Sequence, residues 1–447
     1  MIMSLSSIAA VIKGKLSAGA CANREISGFY TDSRNATDDK LFLALRGERV
    51  DGNSFVPALV SKGFAVMTDD ESNLSLNGDI IYVDDVRSAL QLLAKYYRET
   101  VINSIPMVGI TGSVGKTTTK DMVSLALSAT LKVHKTQGNF NSQVGLPQTV
   151  LATPKDVDCA VVELGMSMKG EMERIARCAM PDISIITNIG YSHIENLGTR
   201  EAIKDEKLKI AEFSKRNSIL LLNGDEPLLK NSELSDRCRY FVSVNDDKCD
   251  CYAKGVTETT NGVLFTACVF GKEIAVELHV KGKHFILNAL FALGTCHLLG
   301  VDIYASAKML ASYESDGKRQ HIFEKEGHTV ISDCYNASPE SMKAALDVLS
   351  AQKGRRIAVL GDMLELGTES ERLHKLVGEY TNGCADVLVT YGEFSKFINQ
   401  NAVVVEKYHF DLTQKKDLGV FLKDFIRFED VVLYKASNGI NLSEIIV

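Results

Sequence analysis

The stretch Gly109-Ile-Thr-Gly-Ser-Val-Gly-Lys-Thr-Thr118 constrains this chain most, because it stands between an apolar run, Met107 to Ile110, and a helical stretch, Thr119 to Thr130. That context is what a phosphate-gripping loop requires. Glycines let backbone N–H groups face the phosphates, Lys116 reaches the outer ones, and the Thr117 hydroxyl suits Mg²⁺. The strict G-x-x-x-x-G-K-[ST] form would place its first glycine where Ile110 stands, but the core Thr-Gly-x-x-Gly-Lys-Thr-Thr is intact. The phosphate contacts therefore fall on Gly112, Ser113, Gly115, Lys116, Thr117 and Thr118. The plainer alternative is an ordinary glycine-rich turn with an exposed lysine.

From Met107 onward, apolar runs alternate with helical stretches: Cys159 to Val162, Ile183 to Ile186 and Ser218 to Leu222. Such alternation predicts a parallel sheet covered on both faces. Residues 263 to 280 alternate apolar and polar about Gly271-Lys272, the pattern of a hairpin added antiparallel to that sheet. A helix from Asn288 to Leu299 stops at Gly300. After the polar run Glu314 to Gln320, a second series begins: Thr329 to Ile331, Ile357 to Leu360, Val387 to Thr390, Ala402 to Val405 and Val431 to Tyr434. These predict another doubly wound sheet, whose ligands belong beyond the C-terminal strand ends.

Before Met107, short apolar runs and a helical stretch from Val86 to Tyr97 predict a small α/β domain, closed by a polar link from Arg98 to Ser104. The expected architecture is α/β in three domains: residues 1–104, a small N-terminal α/β domain; 105–312, a central mostly parallel P-loop sheet; and 313–447, a Rossmann-like doubly wound sheet. A chain of 447 residues is long for one core, which agrees with that division.

A net charge of -7 argues against a surface built for nucleic acid. No stretch is apolar enough to span a bilayer, and residues 1 to 20 lack a signal-peptide pattern, so a cytoplasmic protein is expected. The ten cysteines run from Cys21 to Cys384 without a CxxC pair and are expected as reduced, mostly buried thiols; Cys249 and Cys251 alone stand close together, too little for a zinc site.

A phosphate loop does not say what becomes of the phosphoryl group. Glu163 follows an apolar run, where it is either a magnesium-bearing carboxylate or a glutamate opening a loop. His193 is either a site residue or a structural histidine, and magnesium's preference for oxygen makes it an unusual ligand. Lys207, within Lys204-Asp-Glu-Lys-Leu-Lys209, reads first as part of a solvated charged face.

Several ordered segments carry a resemblance that covers essentially the whole chain: TGSVGKTTT at 111–119, GNFNSQVGLP at 138–147, VVELGMS at 161–167, TNIGYSHIENLG at 187–198, LNGDEP at 222–227, GKHFILNAL at 282–290, SDCYNASPESM at 332–342 and VLGDMLELG at 359–367. Together they resemble the Mur ligase family. Within it, the last two segments look like the branch that joins D-alanyl-D-alanine to UDP-N-acetylmuramoyl tripeptide, and no DNPR motif of the diaminopimelate-adding branch is present. The N-terminal segment TDSRNATDDKLFLALRGERVDG is similar to the family's UDP-substrate domain.

The resemblance implies an ATP-dependent, ADP-forming amide ligase, cytoplasmic and monomeric, with ATP and two Mg²⁺ as cofactors. It implies Lys116 and Thr117 at the phosphates and magnesium, Glu163 and His193 at a second magnesium, and a carbamylated Lys207 beside them, a carbamate being an oxygen anion. Lys116, His193 and Lys207 would serve catalysis. Asn288 would meet the adenine, and Arg319 and Asp333 would complete the ATP site from the last domain. Ser33, Arg34, Asn139 and Asn141 would face the UDP-muramoyl substrate, and Tyr335 and Asn336 the dipeptide. Departures from the family pattern fall at Phe285, Ser142, Ser338, Gly317-Lys318-Arg319 and Lys435-Ala-Ser-Asn438. The alternatives are another Mur-type ligase such as the tripeptide-forming enzyme, a folylpolyglutamate synthase, a P-loop switch or kinase, and a binding module that keeps the loop without catalysis.

Overall fold

Continuous apolar runs become strands buried on both faces, and the two long series of such runs build two separate parallel sheets. A computed structural model describes residues 2–47, 49–232, 238–259, 262–315, 317 and 319–446; Lys318, in the Gly317-Lys318-Arg319 departure, lies outside them. The central sheet has nine described strands, in the spatial order 272–278, 263–269, 251–258, 238–243, 219–223, 183–186, 107–111, 159–163 and 133–135. Every neighbouring pair is parallel until 251–258, after which the hairpin Val263–Val269 and Lys272–Leu278 pairs antiparallel. The hairpin expected from residues 263 to 280 is thus present as an extension of this sheet.

The strand Met107–Thr111 lies between Cys159–Glu163 and Ile183–Ile186, and this fixes the site. Registers Glu163↔Ile110 and Ile186↔Thr111 bring the ends of all three strands to one level. Ile110 is fully buried within the strand, which explains why no glycine is needed at that position of the loop. Each such buried apolar side chain contributes roughly 1.5–3 kcal/mol.

The C-terminal sheet runs 321–325, 328–332, 431–435, 356–361, 387–391 and 406–410, parallel except for its first pair. Its last strand corrects the expectation of a strand at Ala402 to Val405. The strand begins only at Glu406, because Val403 and Val405 stand in solvent and the half-buried alternation starts after them. The N-terminal sheet runs 15–16, 80–82, 65–68, 40–43 and 28–30.

The helix Val86–Thr100 is longer than expected, and Arg98 is not part of a polar link. Its side chain is 1% exposed and donates to the carbonyls of Ile102, Ile105, Ala179 and Met180 and to Asp182. Tyr97 adds a hydroxyl bond of 2.9 Å to Thr153 O. A buried guanidinium is tolerated because its donors are this fully satisfied. The ten cysteines are free thiols, six of them buried, and no three His, Cys, Asp or Glu among the described residues are grouped to hold a metal.

Candidate functional site

The loop after Thr111 turns through Gly112, whose φ of 151° and lack of a side chain let it lie against the neighbouring strand end: a Cβ there would stand 1.9 Å from Thr187 Oγ1. Gly115 then adopts φ 82° and caps the helix Lys116–Leu127 without a side-chain bond. The helix begins three residues earlier than the sequence suggests, because the left-handed Gly115 turns the chain directly into Lys116. First-turn N–H groups have no intrahelical acceptor, and the helix dipole adds partial positive charge, so this end suits phosphate. Lys116 Nζ donates to Gly112 O at 2.9 Å and Ser113 O at 3.3 Å. Burial lowers its pKa, and Glu163 opposes that shift.

Thr117 Oγ1 donates to Glu163 Oε2 at 2.7 Å, and Asn141 Nδ2 donates to Glu163 Oε1 at 2.7 Å. Glu163 is 2% exposed, and its own N–H donates to Thr136 Oγ1, so the surface reading of this glutamate is excluded. On the other flank the segment after Ile186 wraps the loop: Thr187 Oγ1 donates to Val114 O at 2.6 Å, and Gly190 N to Ser113 Oγ at 2.9 Å.

The C-terminal domain closes over these groups. Together with Arg87 from the N-terminal domain they enclose a cavity of about 880 Å³. Of the expected phosphate and ATP contacts, Ser113, Gly115, Lys116, Thr118, Asn288, Arg319 and Asp333 line it, as do Glu163, His193 and Asn141. Tyr335 and Asn336 line its far wall. Gly112 and Thr117 sit just behind the wall, Thr117 reaching it through Glu163. Asn139, Ser33 and Arg34 are not part of the lining; Arg34 is exposed and paired with Asp32 at 2.6 Å, and Asn139 is exposed.

Lys207 overturns the reading of its helix as a solvated charged face. It lies on Arg200–Glu212, is 1% exposed and is held well below the usual lysine pKa by burial and by the nearby charge of Lys116. It does not line the cavity. The adjoining Glu206 accepts from Gly170 N, Met172 N and Lys209.

Within the last domain, Lys435 is buried and bonds Asp333 Oδ2 at 2.6 Å and Asn336 O at 3.1 Å. This pairing follows from the parallel register of Ser332 with Tyr434, which brings the ends of those two strands together. The Arg319 guanidinium stacks 4.0 Å above the Tyr335 ring, while its Nε is buried without a hydrogen-bond partner. Asn288 is committed to Thr119 Oγ1 at 2.8 Å and to His284 O at 3.2 Å. Phe285 is buried against His284 and Tyr313, a core position rather than a polar one. Ser338 caps the helix Pro339–Ser350, and Ser142 accepts from Val144 N and Gly145 N, so both of these departures have local structural work.

Sequence reasoning missed the contacts between domains. Glu340 Oε1 accepts from Tyr191 N at 3.2 Å, and its Oε2 is buried without a partner. Glu195 N donates to Glu365 O at 3.2 Å. Tyr191 lies between two guanidiniums, Arg200 at 5.4 Å and Arg372 at 5.5 Å from the ring centre. His193 Nδ1 meets Glu365 Oε2 by distance, although the angle is not that of a hydrogen bond. The only available signal was that residues 187–193 follow a strand end.

The chain matches the Mur ligase family catalytic domain over residues 25–110, the Mur ligase middle domain over 110–296 and the Mur ligase glutamate ligase domain over 318–438. It is 38% identical to the UDP-N-acetylmuramoyl-tripeptide--D-alanyl-D-alanine ligase of Bacillus subtilis (strain 168), covering 99% of this chain and 97% of that one. The ligase of the same name from Escherichia coli (strain K12) is 30% identical over the same shares, 99% and 97%. Among solved structures, MurF from Acinetobacter baumannii superposes with a TM-score of 0.90 at 26% identity over 100% of this chain and 98% of that one. MurF ligase from Thermotoga maritima in complex with ADP gives 0.83 at 28% identity over 94% and 96%.

Proposed function

The chain belongs to the Mur ligase family, and on that premise we propose that it is the ADP-forming ligase that joins D-alanyl-D-alanine to UDP-N-acetylmuramoyl tripeptide. The observation that carries this reading is the full-length match to a ligase of that name, 38% identical over 99% of the chain. The geometry supports the same chemistry, since one cavity unites a phosphate loop with side chains from the C-terminal domain.

In the proposed reaction a carboxylate of the tripeptide attacks the γ-phosphate of ATP, releasing ADP and leaving an acyl phosphate. The amine of D-alanyl-D-alanine, after losing a proton, attacks the acyl carbon and expels inorganic phosphate. Such transfers depend on positioning and charge stabilisation more than on a protein nucleophile. Lys116 neutralises the outer phosphates, and the free amides of the Lys116–Leu127 helix hold them. Arg319, stacked on Tyr335, places a fixed cation beside the dipeptide wall. Enclosure by the C-terminal domain keeps water from the acyl phosphate.

The donors present fit magnesium: the Thr117 hydroxyl and the buried Glu163 carboxylate are both oxygen ligands, 2.7 Å apart, and magnesium needs few protein ligands when phosphates supply others. Bound there, magnesium would neutralise phosphate charge during both steps. His193, turned toward Glu365, is the less suited ligand; Lys207, buried with its pKa held well below the usual lysine value, becomes an oxygen donor only as a carbamate.

No helix among the described residues is long and apolar enough to cross a membrane. A cytoplasmic, monomeric enzyme acting at the last soluble step of pentapeptide precursor assembly, and so in cell-wall growth, shape and division, is the corresponding biological reading. The test is phosphate release from ATP with UDP-N-acetylmuramoyl tripeptide, with and without D-alanyl-D-alanine. Release that needs both substrates supports the assignment; release indifferent to the dipeptide removes it, and a preference for a single amino acid points to another Mur-type ligase.

A further inference from the structure

We propose that Asn188 is a positioning residue for the nucleotide: its side-chain carbonyl, rather than a phosphate, satisfies the amides of Ser113 and Val114 and holds the phosphate loop in its binding shape before ATP arrives. Asn188 Oδ1 accepts from Ser113 N at 3.0 Å and from Val114 N at 2.9 Å. Its backbone carbonyl also accepts from Ser113 N, at 3.1 Å. A single side-chain oxygen therefore occupies two consecutive loop donors, the arrangement a phosphate oxygen would otherwise adopt.

The free donors then begin one residue later. Thr119 N already bonds Gly115 O, closing the first helical turn, and the N–H groups before it have no intrahelical acceptor. The phosphates are accordingly received by the first turn of the twelve-residue helix Lys116–Leu127, while the reversal that aims this turn is set by Asn188.

The position of Asn188 does not depend on a ligand. It follows the strand Ile183–Ile186, whose Ile186 pairs with Thr111, so the sheet register delivers it beside the loop. Its neighbours reinforce the grip through Thr187 on Val114 O and Gly190 on Ser113 Oγ. Preorganisation of this kind removes from binding the cost of ordering the loop. Removing the acceptor leaves two donors to find other partners and the loop free to take other shapes.

This inference rests on the nucleotide reading of the loop, and the experiment separates the two. ADP binding to the full chain is measured by calorimetry for the wild type, Asn188→Ala and Asn188→Asp, with hydrogen exchange at the Ser113 and Val114 amides in the free proteins. Asn188→Ala is expected to lose about tenfold or more in ADP affinity, to raise the KM for ATP by a similar factor with a much smaller fall in kcat, and to lose protection at both amides. Asn188→Asp keeps an acceptor oxygen and is expected to keep that protection. Wild-type ADP affinity or tighter in Asn188→Ala, or equal loss of amide protection in the Asp and Ala variants, overturns the proposal. Failure of the wild type itself to bind ADP would instead remove the nucleotide reading.

Discussion

His193 Nδ1 and Glu365 Oε2 lie 2.5 Å apart across the boundary between the central and C-terminal domains, and both residues hold left-handed backbones, with φ of 66° and 63°. A single non-glycine residue in that region costs on the order of 1 kcal/mol and persists where its surroundings over-determine it. Here two such residues meet, with Glu195 N fixing the Glu365 carbonyl. His193 also holds the Glu365 carboxyl below the usual carboxylate range. Glu365→Ala is expected to lower kcat/KM for ligation about tenfold, roughly 1.4 kcal/mol, through loss of its contacts across the domain boundary, while ADP affinity stays within about twofold. Steady-state kinetics beside calorimetry decide this, and an equal fall in both quantities would count against a role in domain closure.

Lys116→Ala should abolish ATP-dependent ligation and leave the fold in place. Its ammonium bonds only two loop carbonyls and supports no apolar core. Circular dichroism and Tm report the fold, and ligation by the variant at a near-normal rate would break the phosphate-loop assignment.

Lys207→Ala should lose ligation, and added short carboxylic acids should restore part of it by supplying the missing oxygen anion. Burial and the nearby charge of Lys116 hold the amine well below the usual lysine pKa, which favours the neutral form that reacts with carbon dioxide to give a carbamate. Tm measured alongside separates this from a packing defect. Loss of activity that no acid rescues, in a folded variant, would leave Lys207 a structural residue.

His374 makes the C-terminal domain sensitive to acid. Its ring is fully buried, Nε2 accepts from Met363 N at 3.0 Å and Nδ1 lies 2.7 Å from Ser370 O, an arrangement that needs the neutral Nδ1–H form. Burial pushes its pKa below the ordinary 6.5. As pH falls below that value, the unfolded chain binds a proton that the folded chain does not, so stability present above it is lost, by up to about 1.4 kcal/mol per pH unit until the folded pKa is reached. Tm of the wild type should fall across this window, and more steeply than Tm of His374→Gln; parallel curves would show that His374 does not set the slope.

The sheets were legible in the sequence because parallel strands buried on both faces read as unbroken apolar runs, as Cys159–Glu163 and Ile183–Ile186 do. The phosphate loop was legible because glycine, lysine and hydroxyl must fall at fixed spacing. Val403 and Val405 misled, since an apolar residue says nothing about burial at a sheet edge. Lys207 misled in the opposite sense: a charged run names no buried member until a neighbouring element covers it. Glu340, Glu365 and Asn188 each act on a partner brought near by topology, and a one-dimensional pattern does not record such pairs.

Arg98 limits how far this protein can be treated as modular. The family boundary falls near residue 110, and a cut there looks harmless on paper. Yet the helix Val86–Thr100 lends its guanidinium to carbonyls at Ala179 and Met180 and to the carboxylate of Asp182, and it packs Leu90, Leu93 and Ala94 into a core shared with Leu146 and Val150. Excising the first hundred residues would therefore strip a cation from one fragment and uncover an oily face on each. The first hundred residues are thus fastened to the central sheet by a buried ion pair and a shared core, and no cut at the family boundary preserves both.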